Sequence, residues 1–456
     1  MNALYIVAGI GIVSLLAEIA NFTKWLRYIV GIGLIVAIGT LCCEWGSQKA
    51  YFQEMVVFDN TALAFIGLLL GGSFIWLITS NLFFKEEDAQ TDRVVLIVFT
   101  LLGGLLMASF NNMTMLFLGI EILSISLYVL AGSRKDLGST EAAFKYLLMG
   151  SFATGFLLFG LALVYGATGA FKIDAIGAFV QANSTQLPSF FYVGILLILV
   201  GLCFKISAVP FHFWAPDVYT GAPTAVTGFM STVVKIAALA AFTRVFNTCF
   251  VPVSEDWILP LQVITVLTLV IPNVIAVYQT NVKRLLAYSS VGHVGYLLLG
   301  YTSTPLDAQG PIFFYLAVYA AASLGAFTVL QIIENQNEEV SIDHFNGLFK
   351  RNAGMAVLMT ISLLSLAGIP PLAGFFGKYL IFTLALEHGQ LPMVIIAIIT
   401  SLIGVYYYFK IIIAMFLQEN VQSEIVLTTT QRIGLVIMVL LIAALSLYPN
   451  CLIELI

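Results

Sequence analysis

From residue 3 to residue 450 the sequence is a succession of apolar runs, each about as long as a membrane is thick, with short polar connections between them. A hydrocarbon core of roughly 30 Å takes about 20 helical residues to cross. Lipid cannot satisfy backbone polar groups, so runs of this length must fold as helices. The spans fall at 3–20, 26–43, 61–80, 94–110, 113–132, 144–168, 190–209, 222–247, 257–279, 285–302, 311–333, 353–386, 392–417 and 431–450, fourteen in all. The 353–386 run is too long for one plain crossing and contains Pro370-Pro371, so it reads as a single broken span. The fold class expected is an all-α polytopic membrane protein. Composition agrees, because only 9% of the 456 residues are charged, against about 25% in a soluble domain. The net charge of −5 gives no basic footprint for nucleic acid. Cys42, Cys43, Cys203, Cys249 and Cys451 show no C-x-x-C spacing, so neither a disulfide framework nor a zinc site is indicated. The first run lacks a basic start and a small-residue cleavage site and is expected as a retained helix.

Lysines and arginines sort the connections into two sides. One side holds Lys24, Arg27, Lys85, Arg93, Arg134, Lys135, Lys283, Arg284, Lys350, Arg351, Lys410 and Arg432; the other holds Lys49, Lys172 and Arg244. Twelve against three is the asymmetry of cytoplasmic against external loops, and fourteen spans then place both termini outside. Four of the nineteen cations fit neither side: Lys145, Lys205, Lys235 and Lys378 lie within apolar runs. A charge at mid-membrane costs about 2.5–3.5 kcal/mol. One such lysine can pair with a carboxylate to fix helix register, or reach the interface, as Lys145 near a helix start is placed to do. Four together point to a proton or cation pathway. Burial disfavours the charged form of an amine and a nearby carboxylate favours it, so shifting the carboxylate's influence makes the amine take up or release a proton. Glu121, near the middle of the fifth span, is the acidic candidate. Glu141 stands four residues before Lys145, a spacing that suits a plain ion pair as well as a proton path. Glu18 reads as interfacial. His293, in mid-span, belongs either to a polar axis or to the packed core, and both readings stay open; His344 and His388 fall in loops.

Proline interrupts two spans, the seventh at "FKISAVPFHFWAPDVYTGAP" and the twelfth at "LAGIPPLAGFFGKY". Proline removes a backbone donor and clashes with the preceding turn, and irregular backbone survives at membrane depth only when packed in protein or lining a wet cavity. The breaks occupy the fourth helix of spans 4–8 and the fourth of spans 9–13. Consecutive five-helix units have opposite orientation, the signature of an inverted repeat. The expected divisions are an N-terminal three-helix segment (1–93), two five-helix repeats (94–256 and 257–420) and a C-terminal helix (421–456). Lys205 lies five residues before Pro210, and Lys378 seven after Pro371. No C-x-x-C-H, strand-borne G-x-G-x-x-G or P-loop pattern occurs, so no cofactor or metal is expected in this chain. The pairs Gly71-Gly72 and Gly103-Gly104 read as points of close helix packing.

The runs "LFLGIEILSISLYVLAG", "STEAAFKYLL", "KISAVPFHFWAPDVYTGAPTAVTGFMSTVVKIAAL", "NVKRLLAYSSVGHVGYLLLG" and "LAGIPPLAGFFGKY" resemble the antiporter-like membrane subunits of respiratory complex I, the proton-translocating NADH:quinone oxidoreductase. The resemblance covers nearly the whole chain. Two sister subunits, and the related multisubunit cation/proton antiporters, usually carry an acidic residue where "YTGAPT" has glycine. One sister also continues into a long lateral helix, for which no residues remain after the fourteenth span. The resemblance implies that Glu121 is the carboxylate that pairs with and tunes a pump lysine, Lys205 that lysine, and Lys235 the residue linking two half-channels. It implies that Lys378 is the charged position on the exit side and that Glu141 and Lys145 are the charged pair near the start of the sixth helix. It further implies a subunit of a bacterial inner-membrane enzyme, lined up with neighbouring antiporter-like subunits, whose FMN, iron–sulfur clusters and quinone reside in partner subunits. A subunit of a multisubunit cation/proton antiporter and a purely structural subunit are the alternatives.

Overall fold

The computed structural model describes every residue except 21, 85–86, 185, 304–307, 338–339 and 419–423, and of 87–89 the backbone alone. Lys85 and the division between 420 and 421 therefore lie outside the described residues. In chain order the helices are α1 (Asn2–Leu16), α2 (Leu26–Glu44), α3 (Asn60–Thr79), α4 (Glu87–Ser109), α5 (Met113–Ala131), α6 (Leu137–Thr168) and α7 (Ile173–Asn183). Next come α8 (Ser189–Ile206), α9 (Trp214–Gly221), α10 (Thr224–Ser231), α11 (Val233–Arg244), α12 (Ser254–Val277), α13 (Val282–Tyr301) and α14 (Gln309–Glu334). The chain ends with α15 (Leu348–Arg351), α16 (Ala353–Ala367), α17 (Ala373–Glu387), α18 (Leu391–Leu417), α19 (Thr429–Leu447) and α20 (Asn450–Ile453). Among the described residues one loop departs from the all-helical expectation: an antiparallel hairpin of β1 (Lys49–Tyr51) and β2 (Val56–Phe58) joins α2 to α3.

Each of the fourteen expected spans falls on a helix or a helix pair, and among the described residues eleven of these are long and apolar enough to cross a membrane. The other three differ for separate reasons. The 15 residues of α1 reach about 22 Å at the helical rise, α13 carries Lys283, Arg284 and His293, and α16 and α17 are the two pieces of the broken run. Two features escaped the sequence reading. The amphipathic helix α7 buries Ile173, Ile176 and Val180 and packs on a π turn at Val245–Cys249. The eighth span is split as well, with α10 and α11 meeting at Thr232 (φ −118°, ψ −77°). There the Thr232 hydroxyl bonds back to Gly228 O at 2.6 Å, a contact that competes with the helical ladder, and two further β-branched residues follow.

Both proline breaks close in the same way. Helix α8 stops at Ser207 (φ 63°), and the Ala208 N–H donates to Cys203 O; α16 stops at Gly368 (φ 81°), and the Ile369 N–H donates to Leu364 O. Each is a Schellman stop that occupies carbonyls the broken helix would leave bare. Val209–Pro210 and Pro370–Pro371 are cis. A second correspondence lies at the helix starts. The strand entering α5 pairs with the chain leaving α6, through Met113 N–H to Phe171 O (2.9 Å) and Ile173 N–H to Asn111 O (3.0 Å). The strand entering α13 pairs with the chain leaving α14, through Val282 N–H to Val340 O (2.9 Å) and Ile342 N–H to Thr280 O (3.0 Å). Asn112 and Asn281 then cap α5 and α13 with their side chains.

The span α10–α11 and α14 form the buried centre, whereas α2, α12 and α19 bury a third or less of their apolar windows. Lipid gives helices no hydrophobic reason to associate, so contact depends on close backbone approach. A Cβ on Gly103 would lie 2.6 Å from Gly119 O, and one on Gly160 2.8 Å from Gly194 O. Gly103 thus packs as the sequence suggests, while Gly71 faces open space.

Candidate functional site

Lys205, Lys235 and Lys378 are 4%, 1% and 6% exposed, and each stands beside an interruption in its helix. Lys205 lies two residues before the Ser207 stop. Its amine donates to Ser124 Oγ on α5 and sits 5.9 Å from the ring centres of Tyr128 and Tyr146. Tyr146 stacks on Trp214 at 4.6 Å, and the Trp214 indole N–H donates to Phe204 O at 3.2 Å, so "FHFW" folds back over the end of α8. Glu121 is on the same helix as Ser124, one turn earlier. No ion pair joins Glu121 to Lys205: Ser124 takes the amine instead, and Glu121 Oε1 is buried without a hydrogen-bond partner.

Lys235 follows the Thr232 interruption by three residues. Its amine donates to Ser290 O at 2.7 Å and Ser290 Oγ at 2.6 Å on α13. Ser290 Oγ bonds the Tyr319 hydroxyl at 2.8 Å, and that hydroxyl donates to Ser231 O, the freed end of α10, at 2.8 Å. One turn along α13, both nitrogens of His293 are engaged, Nδ1 with the Tyr315 hydroxyl at 2.6 Å and Nε2 with the Tyr408 hydroxyl at 3.1 Å. Tyr408 also bonds Ser289. A neutral imidazole offers one donor and one acceptor, which suits two hydroxyl partners. His293 is thus buried and hydrogen-bonded on both sides of its ring. Tyr296, a turn beyond His293, presents its ring 4.6 Å from the Lys378 amine. That amine donates to Ala367 O at 3.0 Å, across the second break, and to Ser401 Oγ at 2.8 Å.

Glu141 and Lys145 are not brought to this network. Their side chains are 65% and 41% exposed; Lys145 lies 2.7 Å from Glu141 and 3.0 Å from Asp217, which itself meets Arg284 at 3.1 Å. Helix α6 begins at Leu137, ahead of the expected start at 144, so Lys145 stands well inside the helix and reaches Asp217 on the neighbouring α9. Lys283, sorted above as a loop cation, is instead 2% exposed. It donates to Ala222 O at 2.6 Å, a carbonyl left free ahead of Pro223, and to Glu334 at 3.0 Å. Elsewhere Lys172 meets Glu54 and Arg244 meets Asp59 at one end of the bundle, and Arg134 meets Glu334 at the other. The Lys172 amine holds the Glu54 carboxyl below its ordinary range.

Sequence reasoning looked for charges and so missed the hydroxyls. Tyr315 and Tyr319, four apart in an apolar run, and the Ser289-Ser290 pair were the available signal. Among the described residues no three His, Cys, Asp or Glu side chains converge as a metal site.

Residues 110–404 match the family profile described as NADH:quinone oxidoreductase/Mrp antiporter, TM. The NADH-quinone oxidoreductase subunit N of Cytophaga hutchinsonii is 42% identical over 461 aligned positions, covering 100% of this chain and 99% of that protein. A chain of the respiratory complex I of Thermus thermophilus, solved with bound aureothin, superposes with a TM-score of 0.86 at 31% identity, covering 99% of this chain and 98% of that one. A chain of the Mrp complex from Dietzia sp. DQ12-45-1b shares the fold, with a TM-score of 0.87 at 20% identity over 100% of this chain and 95% of that one. The chain belongs to the NADH-quinone oxidoreductase subunit N family of antiporter-like membrane subunits.

Proposed function

We propose that this chain is the proton-translocating membrane subunit of an NADH:quinone oxidoreductase in a bacterial inner membrane. Electrons pass from NADH through FMN and iron–sulfur clusters to quinone in partner subunits; this chain holds no redox centre and moves protons. It crosses the membrane fourteen times with both termini on the external side, as a three-helix segment, two inverted five-helix repeats and a last helix. The paired helix starts and the matching Schellman stops support that repeat.

The observation that carries the reading is the buried polar line from Lys235 through Ser290 and Tyr319, past His293, Tyr315 and Tyr408, to Tyr296 and Lys378. Hydroxyls and imidazole both donate and accept, so a proton received on one side is released on the other. Amines at the two ends bear the charge, and Lys205, near the Glu121 carboxylate, supplies the line from the first repeat. In assembled complex, Lys205→Ala, Lys235→Ala and Lys378→Ala are each expected to lower NADH-driven proton uptake by inside-out vesicles about tenfold or more, a barrier change of roughly 1.4 kcal/mol. Full pumping in all three would overturn the proposal. Sodium- or potassium-dependent proton exchange without NADH would instead place the chain with the cation/proton antiporters.

A further inference from the structure

Beyond the stop of each broken helix, a backbone N–H is taken by a side-chain hydroxyl from another helix. The Val209 N–H donates to Thr268 Oγ1 on α12 at 2.9 Å, and the Ala373 N–H, at the start of α17, donates to Ser446 Oγ on α19 at 2.8 Å. Both hydroxyls give their own proton back along their helix, Thr268 to Ile264 O at 2.6 Å and Ser446 to Ile442 O at 2.8 Å. A hydroxyl has one proton and two lone pairs, so once its proton is committed it can only accept. Lipid offers an N–H no partner. Val209 and Thr268 are 2% and 0% exposed, so the first of these bonds is sealed in protein.

The correspondence extends to where the two bonds lie. Val209 is four residues after Lys205 and Ala373 five before Lys378, so each bond pins the chain close to a buried amine. On the proposed division, α12 is the helix that follows the first five-helix unit and α19 the helix that follows the second. The last span, which belongs to neither repeat, thereby does for the second break what α12 does for the first. Helix α12 is itself fixed to the buried polar line. Asn273, five residues beyond Thr268, accepts from the Tyr407 hydroxyl at 2.9 Å, and its amide lies against Gly292, where a Cβ would come 2.8 Å from Nδ2. Gly292 adjoins His293. A neighbouring hydroxyl makes the contrast: Thr265, 0% exposed, donates to Leu261 O at 2.7 Å and takes no N–H from another helix among the described residues.

We propose that Thr268 and Ser446 are positioning residues, hydroxyl latches through which the helix after each five-helix unit holds that unit's broken helix and so sets the place of Lys205 and of Lys378. The inference rests on the reading of the chain as a proton-translocating subunit. It gives α12 and the last span a part in turnover that the buried charges alone do not assign.

The test uses assembled complex in inside-out vesicles, with amide hydrogen exchange and NADH-driven proton uptake read on the same preparations and normalised to assembled complex. Thr268→Val, similar in size but without the hydroxyl, is expected to speed exchange in peptides spanning 204–213 about tenfold and to lower uptake about threefold. Peptides spanning 369–378 should keep the parental rate. Ser446→Ala should reverse the pattern, with faster exchange over 369–378 and the same loss of uptake. Thr268→Ser and Ser446→Thr keep the hydroxyls and should restore both readings, which loss of packing alone would not allow. Thr265→Val removes a buried hydroxyl from the same helix and should change neither. Parental uptake or parental exchange in either latch variant, or a loss in Thr268→Ser as large as in Thr268→Val, overturns the latch concerned. Lys235→Ala run alongside separates the two levels. If it abolishes pumping while both latch variants pump at the parental rate, the latches fail and the proton-translocating reading stands; if it pumps fully, that reading itself fails.

Discussion

Ser290→Ala is the most direct probe of the line between the two repeats. The hydroxyl holds two bonds, one from the Lys235 amine at 2.6 Å and one shared with Tyr319 at 2.8 Å. A hydrogen bond to a charged group is worth about 1.5–3 kcal/mol and a neutral one about 1 kcal/mol. The amine keeps one acceptor in the substituted protein, because Ser290 O at 2.7 Å belongs to the backbone. The loss is then one charge-assisted bond, about 2 kcal/mol against the ammonium form of Lys235. At 1.36 kcal/mol per factor of ten, proton transfer through that amine slows by about 30-fold. The assay is NADH-driven proton uptake by inside-out vesicles, normalised to assembled complex on a native gel. Ser290→Thr keeps the hydroxyl and should restore most of the rate. An assembled Ser290→Ala enzyme pumping at the parental rate would refute the argument, because the amine would then not depend on its hydroxyl partner during turnover.

Two further outcomes follow from backbone geometry. Ser207 holds φ at 63°, a conformation that costs an L-residue about 1–2 kcal/mol, so Ser207→Gly should raise the thermal midpoint of the detergent-solubilised complex by the equivalent of about 0.5–1 kcal/mol after glycine's own entropy loss; a lowered midpoint would count against it. Gly103→Val drives a side chain into Gly119 O and the Leu123 N–H, both 2.6 Å from the new Cβ, and should cost 1–3 kcal/mol or more and deplete assembled complex. Gly71→Val, facing open space, should leave assembly near parental levels on the same gel.

The fold was legible because lipid simplifies the code: an apolar run of about 20 residues has one structural solution, and prolines marked both breaks. Lys205, Lys235 and Lys378 were legible for the same reason, since a charge is conspicuous in an apolar run. The third interruption, at Thr232, was not, because no proline marks it and the Thr232 hydroxyl bond to Gly228 O is of a kind that unbroken helices also make. The settings of Lys283 and Lys145 depend on partners distant in sequence. Lys283 follows a loop but folds back to Ala222 O, just ahead of Pro223, and to Glu334, 51 residues away in sequence. Lys145 lies in an apolar run, but reaches Asp217 on α9, 72 residues away in sequence. Such long-range partners carry no local signal.

The two breaks share a backbone stop but place their lysines on opposite sides of it, and this asymmetry has a consequence for how each break is held. Lys205 precedes its stop and donates across to α5, so the carbonyls of the α8 end are served by backbone N–H groups and Trp214. Lys378 follows its stop and reaches back to Ala367 O, which otherwise has a 3.4 Å contact from Ser401 Oγ. One amine is therefore part of the structure of its break and the other is not. Lys378→Met should accelerate amide hydrogen exchange in peptides covering residues 369–376, since a buried carbonyl left short of a donor costs about 1–3 kcal/mol and local opening relieves it. Lys205→Met should leave exchange over 208–215 at the parental rate while lowering pumping as strongly. Equal exchange in both variants would mean that the second break is held by its Schellman bonds alone, and that Lys378, like Lys205, is free to change its charge without loosening the helix that carries it.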